Sequence, residues 1–214
     1  MQPEAVNPAF VTFWLRTTAC HMVTYFVAGM FAFVLMDYRG FFQTPGLKDL
    51  MRPIESAWMA VGPAFQFFRG LVLAAVLYPF RGVFLDSPSG WWRLALLLIG
   101  LCVLSPSGPV TGSLEGLFYT RLSLTQHVRG LPEVLVQNAA FAWLLVAWNR
   151  QPSPSWDTWM GVGTALVILL SLKEYARRAH PGAEKRQHEA RNERLVSGHA
   201  VTGTSQPGIR SSRS

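Results

Sequence analysis

Five polar side chains interrupt stretches of the sequence that are otherwise apolar, and they suggest the most specific chemistry in the chain. They are Gln66, Arg69, Glu115, Gln137 and Asn138. A charged group at the centre of a bilayer costs about 3 kcal/mol or more, so such groups pair with one another or mark the path of a solute. We expect Arg69 and Glu115 to form an ion pair with the three amides around it. Such a cluster either ties helices together or forms a transport or binding site.

One histidine and two cysteines also lie within apolar stretches. His21 has no second intramembrane histidine with which to form a bis-histidine haem site, so we expect a buried side chain with its hydrogen bonds satisfied. Cys20 and Cys102 form no Cys-x-x-Cys motif, which argues against a zinc site or a structural disulfide. The sequence therefore predicts no metal site and no cofactor.

Three short elements resemble parts of the pattern of membrane-bound phosphatidic acid phosphatases. The elements are Lys48 to Arg52-Pro53, Pro-Ser-Gly at 88–90 and again at 106–108, and Arg121-x5-His127. In that family a histidine follows the middle element and an aspartate closes the last one, but here Trp91 or Pro109 and Leu131 occupy those positions. A phosphohistidine mechanism needs both groups. An enzyme acting on lipid phosphate is therefore the weakest of the functions considered, and we assign no catalytic residue.

Composition and the length of the apolar blocks predict an all-α integral membrane protein. Half of the 214 residues are apolar and 14% are charged, compared with roughly 25% charged residues in soluble domains. Apolar blocks of about 20 residues are typical of membrane-spanning helices. We predict a bundle of about five transmembrane helices, with the third one broken: Thr17–Met36 (or from Phe10, with Arg16 reaching outward), Ala57–Phe80, Leu94–Thr120, Glu133–Trp148 and Trp156–Leu172.

The third predicted helix contains residues that interrupt helices. Pro106 and Pro109 follow the apolar run Leu94–Leu104, and proline removes a backbone hydrogen bond and clashes with the preceding turn. We expect the helix to break between Ser105 and Pro109, at membrane depth. Three glycines recur every fourth residue after this point, a pattern that favours close helix packing in lipid: Gly108, Gly112 and Gly116.

The end of the chain has a different composition. From Lys173 to Ser214 it contains nine Lys and Arg against four Glu. Cytoplasmic segments carry such an excess of basic residues, so we place the C-terminus in the cytoplasm and the N-terminus outside a bacterial inner membrane. We expect residues 1–178 to form the transmembrane helical domain and residues 179–214 to form a disordered basic tail. With this orientation the five polar residues all fall in the cytoplasmic half, which is why we expect one cluster.

Three classes of function remain open. A non-enzymatic membrane subunit or scaffold is favoured, because the chain contains no complete catalytic constellation. A small transporter or channel built around Arg69 and Glu115 is the second class, and the lipid-phosphate enzyme is the third. The expected partners are the lipid bilayer, another membrane protein, and anionic lipid at the basic tail. The positive charge is concentrated in that tail, so we do not expect nucleic acid as a partner.

Overall fold

The computed structural model describes residues 8–104 and 110–180, and all regular secondary structure within those two ranges is helical. A single 3-10 turn, Tyr78–Phe80, links two of the ten α-helices. The helices are α1 (Pro8–Leu35), α2 (Tyr38–Phe42), α3 (Leu47–Leu50), α4 (Ala57–Leu77), α5 (Arg81–Leu85), α6 (Gly90–Leu104), α7 (Leu114–Tyr119), α8 (Leu124–Arg129), α9 (Leu131–Arg150) and α10 (Pro154–Ala179).

Four helical segments are long and apolar enough to cross a membrane. They are Pro8–Leu35, Ala57–Leu85, Leu124–Arg150 and Pro154–Ala179. Helix α6 is also apolar but has only 15 residues, or about 22 Å at 1.5 Å per residue. A hydrocarbon core is about 30 Å thick. The structure therefore contains four long apolar helices and one shorter one.

Local signals explain where two of the long helices begin. The Ser56 hydroxyl accepts a hydrogen bond from the Met59 amide and so caps α4. Ser153 caps α10 in the same way, and Pro154 occupies the first turn, where its missing N–H group leaves no hydrogen bond unmade. The predicted start at Ala57 is therefore confirmed, and α10 begins close to the predicted Trp156. It ends at Ala179, one residue into the segment that we assigned to the tail; residues 181–214 lie outside the described residues.

Helix α1 begins at Pro8, two residues before Phe10, the earlier of the two predicted starts, and not at Thr17. Arg16 does not reach outward: its side chain is 12% exposed and pairs with Asp157. Because this carboxylate provides the arginine with a counter-charge, the helix continues through Arg16 into the bundle.

Helix α1 lies at the centre of the bundle. It packs against α4, α9 and α10; α4 also packs against α10, and α6 packs against α9. Helices α1 and α4 approach closely at Gly70, where an added Cβ would lie 2.8 Å from the Thr18 Cα atom. The main apolar core fills the end of the bundle where α1 begins and α9 ends, and it includes Phe13, Leu94, Phe141, Leu145 and Trp148.

Helix α6 does not continue to Thr120. It ends at Leu104, and α7 begins at Leu114. Residues 110–113 are not helical, so no continuous helix runs from Leu94 to Thr120. The predicted break itself, residues 105–109 with both prolines, lies outside the described residues. Gly112 has a φ of +89°, a left-handed conformation that glycine adopts without strain. It lies in a turn, so the prediction that it packs within a helix was wrong.

Candidate functional site

The five predicted site residues lie on α4, α7 and α9, and no hydrogen bond or ion pair joins any two of them in the described part of the chain. Arg69 is exposed near the middle of α4, whereas Glu115 is half-buried in the first turn of α7. No Arg69–Glu115 ion pair within 4.0 Å exists in the described part of the chain. The two residues are on helices with different neighbours: α4 packs against α1 and α10, whereas α7 packs against α6 and α8.

Two of the three amides, Gln66 and Asn138, form separate helix contacts, whereas Gln137 is half-buried on α9. The side-chain oxygen of Gln66 lies 3.1 Å from Nε2 of His21, and that ring packs edge-on against Phe141 at 5.9 Å. His21 is 3% exposed, which confirms the prediction of a buried, hydrogen-bonded histidine. Asn138 donates to the Val134 carbonyl at 2.8 Å and contacts the Cys102 sulfur at 3.7 Å. Gln66 therefore joins α4 to α1, and Asn138 joins α9 to α6.

A cavity of about 900 Å³ lies at the end of the bundle where α1 ends and α4 begins. Helices α1, α4, α6 and α9 form its walls, and the α2–α3 segment contributes Phe41, Phe42, Leu47 and Met51. Most of the lining is apolar or aromatic. A cavity of this volume, with few polar groups among apolar ones, is typical of a small-molecule binding site.

The main polar contact in this cavity joins Tyr38 to Glu133. The Tyr38 hydroxyl donates a hydrogen bond to Oε2 of Glu133, which lies in the first turn of α9. Burial, and then the adjacent carboxylate, raise the pKa of Tyr38 above its usual value, so the phenol remains a donor at neutral pH. No arginine or lysine nitrogen in the two described ranges lies within 4.0 Å of the Glu133 carboxylate. Glu133 is thus a carboxylate with a neutral donor and no paired cation.

The Tyr38–Glu133 contact was not predicted from the sequence. Tyr38 lies between the first two predicted spans, and Glu133 only marked the start of the fourth. Arg129 holds the two segments together, because its guanidinium donates to the Met36 carbonyl and lies 5.0 Å from the Phe41 ring. One signal was available: Glu133 follows Pro132 at the start of an apolar block, a depth at which a carboxylate requires a partner.

A second polar cluster, also missed, lies at the opposite end of the bundle. Arg16 Nη2 is 3.3 Å from Asp157 Oδ1, and the Trp148 indole N–H donates to the same oxygen at 2.9 Å. The Arg16 guanidinium also lies 5.2 Å from the Trp148 ring centroid. These contacts join the beginning of α1 to the end of α9 and the beginning of α10.

We expect Asp157→Asn to lower the free energy of unfolding by about 2 kcal/mol, because it leaves the largely buried Arg16 guanidinium without its counter-charge. Asp49→Asn, on an exposed side chain, is the control and is expected to change the free energy of unfolding by less than about 0.5 kcal/mol. Unfolding in detergent, followed by circular dichroism, measures both. Equal stability of the two variants would show that the ion pair contributes nothing.

His127, which carried the resemblance to lipid phosphatases, has hydrogen bonds at both ring nitrogens. Nδ1 accepts from the Gly112 amide at 3.1 Å, so the proton is on Nε2, which donates to the Thr120 hydroxyl at 3.2 Å. The residue is 3% exposed. Neither nitrogen is free to act as a nucleophile, so the geometry assigns His127 to holding the α7–α8 segment together.

In residues 8–104 and 110–180, no three His, Cys, Asp or Glu side chains are grouped so that they could hold a metal ion. Cys20 and Cys102 are free thiols. The exposed Arg69 and the cavity with Glu133 are therefore the two candidate sites. No protein-family model, no curated protein and no solved structure is similar to this chain.

Proposed function

We propose that this chain is a non-enzymatic membrane subunit that docks, through the exposed face of α4, against a transmembrane helix of another protein. That helix carries an aspartate or glutamate within the membrane. The single observation behind this proposal is Arg69, an exposed guanidinium in the middle of an apolar helix. In the proposed arrangement α1, α4, α6, α9 and α10 cross an inner membrane, with the N-terminus outside and the C-terminus in the cytoplasm.

The surroundings of Arg69 form a regular helix-pairing surface, which we call the α4 seam: Trp58, Gly62, Phe65, Arg69, Val72 and Val76. The spacing alternates between four and three residues, as it does along the contact line of paired helices. Phe65 and Val72, on either side of Arg69, are each 63% exposed. An added Cβ on Gly62 would meet no heavy atom within 4 Å. The seam therefore has space for a second helix along its length.

Arg69 lies too deep in α4 for its guanidinium to reach the lipid headgroups at either end. Twelve residues separate it from Ala57 and eleven from Phe80, or about 17 Å in either direction at helical rise. This distance exceeds the reach of an arginine side chain. Intramembrane charges normally face the interior of a bundle and pair there, so an exposed one supports a carboxylate on a neighbouring helix.

A second copy of this chain fits the seam less well than a different protein. Two copies that used the same face would place Arg69 opposite Arg69, and like charges in lipid repel strongly. The carboxylates of the long helices, Glu133, Asp157 and Glu174, also lie near helix ends and away from the depth of Arg69, and the last two are already paired with Arg16 and Arg178. We therefore propose a heteromeric contact.

Photo-crosslinking in native membranes tests this proposal. A photoreactive amino acid at Val72 is expected to give one defined protein adduct, whose partner has an Asp or Glu within a membrane span. Arg69→Leu is expected to reduce the adduct at least about 10-fold, because a charge pair in lipid is lost. Arg69→Lys, which keeps the charge, is expected to retain most of it.

Two further experiments test whether Arg69 pairs with a carboxylate of the partner. Replacing the partner's intramembrane carboxylate by its amide is expected to cause the same loss as Arg69→Leu, and exchanging the two charges between the proteins is expected to restore the adduct. An adduct between two copies of this chain, adducts with lipid alone, or an adduct that Arg69→Leu leaves unchanged would overturn the proposal. Incorporation at Trp159, exposed on α10, is the control for random collision.

A further inference from the structure

The charged side chains that line the cavity differ in whether a side chain of opposite charge lies nearby. Three charged residues line it: Arg39, Glu133 and Arg178. Arg178 is bound to the Glu174 carboxylate at 2.6 Å and also donates to the Ile54 carbonyl. Arg39 has Glu55 at 3.9 Å. Both arginines therefore have a carboxylate nearby, whereas Glu133 has only the hydroxyl of Tyr38.

Aromatic rings surround the same space. Tyr25 and Phe26 on α1, Phe42 on α2 and Trp58 on α4 all line the cavity. The negatively charged faces of aromatic rings attract cations, and rings together with a carboxylate form the usual recognition site for alkylammonium groups. The rest of the cavity is apolar and so suits a ligand with a large hydrocarbon or aryl body.

We propose that this cavity binds a lipophilic cation, that is, an amine or quaternary onium ion with an apolar body. The positive centre lies beside Glu133, which Tyr38 holds in place by its hydrogen bond. The apolar body occupies the space between α1, α4 and α6. This inference goes beyond the proposed docking of α4, because it uses a carboxylate on α9 and requires no partner protein.

Other ligand classes fit the same cavity less well. An anionic amphiphile would find only the solvent-exposed Arg39 as a cation, because Arg178 is bound to Glu174, and Glu133 would repel it. A neutral lipid would use the apolar walls but would leave the charge of Glu133 unmatched. The charge of Glu133 therefore distinguishes the three classes.

The test uses the full chain in nanodiscs of zwitterionic lipid, with tetraphenylphosphonium as the probe and calorimetry as the readout. We expect saturable binding that Glu133→Gln weakens at least about 10-fold, because the substitution removes one buried charge but keeps the shape. Asp86→Asn removes a carboxylate charge from an exposed side chain that does not line the cavity and is expected to alter Kd less than about 2-fold. Glu133→Asp keeps the charge and is expected to retain measurable binding.

A second pair of variants avoids the risk that changes at Glu133 disturb folding. Trp58 and Trp159 are 63% and 73% exposed, and only Trp58 lines the cavity. Trp58→Leu is expected to weaken probe binding about 3-fold or more through loss of a cation–π contact, and Trp159→Leu is expected to leave it unchanged. Absence of saturable binding, equal affinities for wild type and a folded Glu133→Gln variant, or tighter binding of dodecyl phosphate than of the onium probe would overturn the proposal. None of these measurements involves the α4 partner, so the two proposals can fail independently.

Discussion

Gly90→Ala is expected to destabilise the protein by more than about 4 kcal/mol, the range reserved for backbone clashes and core disruption. An added Cβ on Gly90 would overlap the carbonyl oxygen of Phe84 and lie 2.5 Å from its carbonyl carbon. Backbone atoms cannot rotate away as a flexible side chain can. The α5–α6 turn would have to open, and with it the contact of Phe84 and Leu94 with the core, where they are 7% and 1% exposed.

A second glycine in the same helix provides the control. An added Cβ on Gly100 would meet no heavy atom within 4 Å, and alanine in the interior of a helix is favoured over glycine by about 0.5–1 kcal/mol. Gly100→Ala is therefore expected to be neutral or slightly stabilising. Thermal unfolding of both variants in the same detergent measures the difference. If Gly90→Ala unfolds at the wild-type temperature, Gly90 does not lie as close to the Phe84 carbonyl as the structure shows.

Helix positions could be read from the sequence wherever the signals are local. The start of α4 follows from Ser56 and the long apolar run after it, and the start of α10 follows from Ser153 and Pro154. For α1 the sequence left two starts open, Phe10 and Thr17, because the partner of Arg16, Asp157, lies 141 positions further along the chain.

The candidate sites depend even more strongly on tertiary structure. Depth along a helix can be estimated from residue counts, and that estimate suggested a single polar cluster. It does not determine which neighbour a side chain faces, so Gln66 contacts His21 and Arg69 faces outward. The Tyr38–Glu133 contact could not be predicted either, because the two residues are 95 positions apart in the sequence and meet only in the folded chain.

The two proposed sites share residues, and this has a thermodynamic consequence. Trp58 and Gly62 belong to the α4 seam and also line the cavity. A helix seated on the seam would therefore lie against one wall of the cavity. If the partner changes the affinity for the cation, the cation must change the affinity for the partner by the same factor.

The segment from Val110 to Arg129 is held together by its own hydrogen bonds. The Ser113 hydroxyl donates to the Val110 carbonyl at 2.8 Å and accepts from the Gly116 amide at 2.9 Å. Thr120 donates to the Gly116 carbonyl at 2.7 Å and meets His127 on its other side. Gly116 lies at the centre of this network, and an added Cβ would overlap the Val110 carbonyl oxygen and lie 2.9 Å from Cε1 of His127.

Gly116→Ala is therefore expected to open this segment, at a local cost of about 3 kcal/mol for the clash and the lost hydrogen bonds. Limited trypsin digestion detects the opening, because Arg121 and Arg129 lie within the segment; we expect cleavage there at least about 10-fold faster than in wild type. Gly130→Ala, where an added Cβ would meet nothing within 4 Å, is expected to leave the cleavage rate unchanged. Since the main core lies at the other end of the bundle, the remaining helices are expected to stay folded while the segment is cut. Equal cleavage rates in all three proteins would mean that the backbone around Gly116 has room for a side chain, and that His127 is not held in the way its hydrogen bonds indicate.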